Sequence, residues 1–275
     1  MNTWLRNKLK AVLWKIGILE THDILLRDYF FKRAQLSMNP LHAGTHFAGF
    51  SQLDEYFIIN KILDRIPITA KSFIEFGVGT GVENNTLGLI LDGWHGIWVG
   101  DEELEIDLPV SSSRSAKSGD VDYVKTWVDL KTLESLLPRI QELSPSLVSM
   151  DLDGNDYYFT QYLLSSGLRP DIFVQEYNGN FGPTTKWIMP YRNDHQWNLD
   201  SNWGASLAAY VDLFQEYGYK LIACSLSGVN AFFVRDVHSG RFTDIPEDVS
   251  SLFHSYSPWF ERAKQSVDRN ILRII

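Results

Sequence analysis

A single cysteine, Cys224, stands in 275 residues, which excludes an internal disulfide framework and any thiolate cluster around zinc. One thiol fits a reducing compartment, and the chain reads as cytoplasmic. Positive charge is also scarce: 25 Lys and Arg face 34 Asp and Glu, a formal charge of −9. General nucleic-acid binding relies on basic side chains that neutralise phosphates, so no nucleic-acid partner is expected. No run approaches the roughly 20 apolar residues that span a bilayer, and the start has no uninterrupted apolar core with a small-residue cleavage site. Internal repeats and low-complexity tracts are missing too. Apolar material is ample, because 44% hydrophobic residues can build the core of one large domain or of a domain with an attachment.

The opening stretch "MNTWLRNKLKAVLWKIGIL" carries Arg6, Lys8, Lys10 and Lys15 with no acid before Glu20. Trp4, Leu5, Leu9, Val12, Leu13 and Ile16 recur at helical spacing. Two readings stay open: a helix packed on its own domain or on a second subunit of a homo-oligomer, or a basic helix lying on the anionic inner face of a membrane.

Periodicity divides the rest. Residues 1–66 read as a helical extension, 67–240 as an alternating β/α domain, and 241–275 as a helical segment packing on that domain. Strand-like runs begin at "KSFIEFGVG" (71–79), "HGIWVGDE" (95–102), "VDYVKTWVDL" (121–130), "SLVSMDLDG" and "DIFVQEYNG". Between them lie helical runs at "VENNTLGLILDG", "LKTLESLLPRIQEL" and "YYFTQYLLSSG". "GASLAAYVDLFQEYG" then precedes two strand-like runs, "YKLIACSL" and "VNAFFVRD", joined by Ser227-Gly228 as a hairpin. The expected architecture is α/β: a Rossmann-like, seven-stranded, mostly parallel sheet with an antiparallel terminal hairpin strand.

"EFGVGTG" follows the first strand and precedes a helix, where backbone amides can receive part of a cofactor. Gly77, Gly79 and Gly81 do not meet the G-x-G-x-x-G dinucleotide pattern, since position 82 is Val. Glu75 stands just before the loop, and Asp101 and Glu102 end the second strand, where a carboxylate can accept bonds from ribose hydroxyls. Acids so placed disfavour a phosphate-rich cofactor.

"FIEFGVGTG", with the terminal hairpin, resembles the first motif and sheet of class I S-adenosylmethionine-dependent methyltransferases over about residues 70–236. "FSQLDEYFIINKIL", "ENNTLGLILDGWHGIWVGDE" and "MDLDGNDYYFTQYLL" followed by "RPDIFVQEYN" are similar to FkbM-type and related sugar O-methyltransferases. The resemblance implies that Glu75 contacts the methionine amino end and that Gly77, Gly79 and Gly81 line it. It further implies that Asp101 or Glu102 holds the ribose and that Asp129 sits near the adenine. The implied activity is methyl transfer to a hydroxyl of a carbohydrate or glycoconjugate, with the N-terminal helix as a contact to polysaccharide-synthesis machinery. Alternatives left open are a small-molecule, non-sugar O-methyltransferase, a nucleotide-dependent oxidoreductase, and a non-catalytic Rossmann-like binding protein.

Strand ends in a parallel sheet face one crevice, so Asp151, Asp153, Asn155 and Asp156 should lie beside Glu176, Asn178 and Asn180. An alcohol is a poor nucleophile at neutral pH, so its methylation needs a base or a metal. In one route Asp151, Asp153 and Glu176 hold Mg²⁺, which resembles the macrolide-sugar methyltransferases. In the other, a carboxylate (Asp153 or Glu176) or His195 is the base. Asn155 and Asn178 are candidate ligands of sugar hydroxyls, although Asn155 or Asp156 can cap a helix from Tyr157, and Asn178-Gly179 is a turn signal. The long segment 180–204 carries Trp187 and Trp197, whose faces suit the C–H face of a sugar ring, with a buried aromatic cluster the alternative left open.

Overall fold

A computed structural model describes residues 18–45, 50–68, 70–106, 119–198 and 200–257. The basic amphipathic stretch and most of the expected C-terminal helical segment lie outside these described residues. No described helix is long and apolar enough to cross a membrane.

Seven strands form one sheet: β1 (Ser72–Phe76), β2 (His95–Gly100), β3 (Val121–Lys125), β4 (Leu147–Met150), β5 (Ile172–Glu176), β6 (Tyr219–Cys224) and β7 (Asn230–Arg235). Their order is β3-β2-β1-β4-β5-β7-β6, and β7 runs antiparallel to both β5 and β6 while the other neighbours are parallel. β1, β4 and β5 are buried along their whole lengths, as continuous apolar runs covered on both faces should be. β3, at the edge, has only exposed and half-buried residues. The order reverses between β1 and β4, so the crevice for a ligand lies beyond the carboxyl ends of these two strands.

The N-terminal part supplies α1 (Ile18–Leu36), a 3₁₀ turn (Pro40–His42) and α2 (Glu55–Leu63). Phe30 and Ala34 of α1 pack with Leu53, Leu226 and Val229 on the hairpin link. Asn39 Nδ2 donates to the Ile222 carbonyl at 2.8 Å, His42 Nε2 lies 3.0 Å from the Cys224 carbonyl, and the Leu226 N–H donates to the Asp54 carboxylate. Ile58, Ile59 and Ile62 of α2 belong to the same core as the sheet. These contacts place the segment just before α2 against the strand ends, where it becomes one wall of the crevice described below.

Two elements depart from expectation. The helix expected over 82–93 is confined to α3 (Leu87–Leu91), because the preceding turn bends back so that Asn85 and Thr86 donate their N–H groups to Glu75. The third strand stops at Lys125 rather than 130, because Asp129 caps α4 (Leu130–Leu143) by accepting the Thr132 N–H at 2.8 Å. The remaining helices on the sheet, α5 (Asp156–Ser165) and α6 (Leu207–Glu216), follow β4 and precede β6 as the pattern requires, and a short α7 (Val249–Leu252) closes the described chain.

Candidate active site

A cavity of about 680 Å³ opens at the carboxyl ends of β1, β2 and β4. Its first wall is the glycine loop. Gly77 has φ 84°, and a Cβ built there falls 1.5 Å from the Asp151 carbonyl oxygen, so the loop passes the end of β4 with no room for a side chain. Gly79 also has positive φ and faces open space near Glu102. Gly81 does not line the cavity: its Cα faces Leu104 and Ile106, so its expected ligand role is corrected to a packing role.

Glu75 lines the cavity but is 4% exposed, and its oxygens accept the N–H groups of Asn85 (2.8 Å) and Thr86 (3.1 Å) and the Thr86 hydroxyl. Trp98 Nε1 donates in turn to the Thr86 hydroxyl at 2.8 Å. Burial pushes the Glu75 pKa up, and the bonds from Thr86 and Asn85 oppose that shift. The carboxylate therefore shapes the loop, whatever else it touches. Asp101 and Glu102 stand exposed on the cavity rim at the end of β2, where a ribose ligand is expected. Asp129 is corrected: its carboxylate caps α4, and Thr126, Trp127 and Val128 line the cavity instead.

The opposite wall is acidic. One oxygen each from Asp151, Asp153 and Glu176 lie within 4.8 Å of one another. Asp153 has a positive φ of 54°, which turns its N–H onto Glu176 Oε2 at 3.1 Å. Beneath them Asp156, the first residue of α5, accepts the N–H groups of Leu152 (2.8 Å) and Gly154 (2.9 Å). Burial holds the pKa of Asp151 and of Glu176 well above the carboxylate range. The charges of neighbouring acids add to the shift: Asp153 and Asp156 for Asp151, and Asp151 and Asp153 for Glu176. Asp156 rises to about 6, with burial the main cause and its two backbone bonds opposing. Hard oxygen donors at this spacing fit a divalent cation such as Mg²⁺, whose octahedral shell needs several carboxylate or water oxygens and whose charge would relieve the mutual repulsion.

His195 enters from the segment after β5 and lines the cavity, its ring over Gly154, where a Cβ would approach His195 Cδ2 to 2.9 Å. Its Nε2 is buried and has no hydrogen-bond partner. Three other expectations on this side are corrected, and a fourth is qualified. Asn155 lines the cavity, but its amide holds the chain: Nδ2 donates to the Arg192 carbonyl (2.7 Å) and Oδ1 accepts the Arg192 N–H (3.1 Å). Asn178 is likewise engaged, donating to the Ser201 and Trp203 carbonyls and accepting from Asn180. Trp187 stacks on Phe181 at 4.6 Å, and Trp197 donates to the Asp200 carbonyl and packs edge-on to Trp203. Neither indole lines the cavity. Among the described residues the tryptophan that does is Trp127, whose Nε1 reaches the Asn193 carbonyl at 3.4 Å.

Gln52 and Asn230 complete the wall, and neither has a local sequence signal. Asn230 reaches the site only because β7 pairs with β5 in a register that sets it across from Glu176. Gln52 arrives with the turn that leads into α2. No protein-family model matches the chain, and no curated protein matches it.

Proposed function

We propose that the chain is an S-adenosylmethionine-dependent O-methyltransferase acting on a hydroxyl of a carbohydrate or glycoconjugate. One observation carries the reading. A cavity at the switch point of the sheet has a glycine loop and rim carboxylates on one wall and Asp151, Asp153 and His195 on the other, with the buried Glu176 beside the two aspartates. The glycine loop without the dinucleotide spacing, and acids where phosphates would have to lie, favour this donor over a nucleotide cofactor.

On this reading Asp101 or Glu102 accepts bonds from the ribose hydroxyls, and Trp127 and Val128 offer apolar surface to the base. The open face at Gly79 lets the backbone approach the methionine end. Bound S-adenosylmethionine supplies an electrophilic methyl group on a sulfonium. Asp151, Asp153 and Glu176 would hold Mg²⁺, which supplies a lower hydroxyl pKa and an oriented oxygen. The acceptor oxygen gains the methyl carbon as the carbon–sulfur bond breaks, and the hydroxyl proton passes to His195, whose buried Nε2 has no other partner.

Calorimetric titration with S-adenosylhomocysteine tests the donor. Binding at about 10 µM or tighter is expected, weakened about tenfold by Asp101→Asn with Glu102→Gln. Absence of heat removes the assignment. Turnover in EDTA separates the two acceptor routes: loss restored by Mg²⁺ supports the trio, and full activity in chelator leaves His195 as the base without a cation.

A further inference from the structure

Recognition of a phosphate draws on Lys or Arg side chains and on clusters of backbone N–H groups at loops and helix starts. Among the described residues that line the cavity there is no Lys and no Arg, and His195 is the one side chain able to become cationic. Outside the glycine loop, which the reading above gives to the donor, five N–H groups at the cavity already carry the chain's own carboxylates. Glu75 sits on Asn85 and Thr86, Asp156 on Leu152 and Gly154, and Glu176 on Asp153. Asp101 and Glu102 add negative charge at the rim, so a divalent cation at the trio would still leave carboxylates in excess.

Asn230 gives an independent pointer to the ligand. It is 2% exposed and lines the cavity beside Glu176; its side chain is bonded to the buried Glu55, which leaves its Oδ1 buried without a partner. A buried acceptor left unpaired calls for a donor, which a sugar hydroxyl or amine provides and a phosphate oxygen does not.

We propose that the acceptor is a sugar unit bearing neither phosphate nor carboxylate, so that glycosyl transfer out of the nucleotide-activated sugar precedes methylation. This rests on the donor and acceptor reading above. A glycosyltransferase reaction then supplies the substrate, and the methylated product is a glycan or glycoside rather than a building block for one.

The test has two arms on the intact chain. In the first, protein saturated with S-adenosylhomocysteine is titrated with UDP-glucose, dTDP-glucose and GDP-mannose. In the second, labelled S-adenosylmethionine is incubated with the chain and a cell extract split by anion exchange into nucleotide-sugar and neutral-glycan fractions. The expected result is no nucleotide sugar bound with a Kd tighter than about 1 mM, and label in the neutral fraction alone. Tighter binding of any of the three, label on nucleotide sugars, or label in neither fraction overturns the proposal. The initial S-adenosylhomocysteine titration reports separately on the donor. No heat at that stage ends the methyltransferase reading itself, whereas heat followed by label on nucleotide sugars ends only the proposed order of reactions.

Discussion

The two walls of the cavity are built from the same kinds of residue and differ in how far the fold satisfies them. On the glycine-loop side the buried carboxylate, Glu75, accepts from two backbone N–H groups and a hydroxyl, and Asp101 and Glu102 stand in solvent. On the β4–β5 side Asp151 and Glu176 have their pKa values raised by burial and by the charges of neighbouring acids, and the buried atoms His195 Nε2 and Asn230 Oδ1 have no partner. A hydrogen-bonded buried group accounts for itself structurally, whereas repelling or orphaned groups cost stability that something else must offset. The first wall reads as a shaped surface for a ligand, and the second as a set of groups completed by one.

The comparison breaks most drastically where the walls touch. Gly77→Ala would put a methyl group onto the Asp151 carbonyl at a positive φ, and destabilisation above about 3 kcal/mol is expected, visible as loss of soluble, folded chain. A variant that melts like the parent would mean that the two walls are not packed as described.

Asp151→Asn sharpens it, because activity and stability should move in opposite directions. Turnover should fall about a hundredfold or more, while the ligand-free chain gains about 1 kcal/mol at neutral pH because a buried acid beside other carboxylates is replaced by a neutral amide. The pH dependence has a definite sign. A carboxyl whose folded pKa is raised binds more protons folded than unfolded, so its stabilisation is complete below the unfolded value of about 4 and is lost as pH rises through the folded value. His42 and His254 act oppositely: burial lowers them to about 4 and about 3, and their contribution is lost as pH falls below 6.5. The difference in melting temperature between parent and variant cancels the histidines and should widen as pH rises above the unfolded carboxyl value of about 4. A constant difference would remove the raised pKa from the account.

Asn155→Ala has the mildest expected effect. It removes both bonds to Arg192 and so loosens the segment that carries His195, at about 1–2 kcal/mol. Acceptor KM should rise severalfold with S-adenosylhomocysteine affinity unchanged, and a changed donor affinity instead would show that the walls are coupled through this segment.

Much of the sheet was legible because its strands are short apolar runs set off by turn residues, and the Ser227-Gly228 link announces a hairpin. The acids at strand ends were legible for the same reason, since a parallel sheet sends every carboxyl end to one side. Asn178, Trp187 and Trp197 fall outside the cavity lining, and Asn155, although it lines the cavity, is bonded to Arg192, because residue type and position cannot tell a group that faces a ligand from one that ties a loop. Their partners, Arg192, Ser201, Phe181 and Asp200, are backbone or ring contacts that only the folded path of 180–204 creates. Asp129 was misread because a strand end and a helix cap are adjacent roles, and the Thr132 N–H settled which one it takes.

Taken alone, the sequence determined the alternation of strands and helices, the glycine turn and the gathering of Asp151, Asp153 and Glu176, all consequences of local periodicity and a shared strand direction. The tertiary structure decided which of the polar groups remain unpaired. Gln52 and Asn230 belong to the cavity because α2 docks on the sheet and β7 pairs antiparallel with β5, and such long-range contacts leave no trace in local pattern.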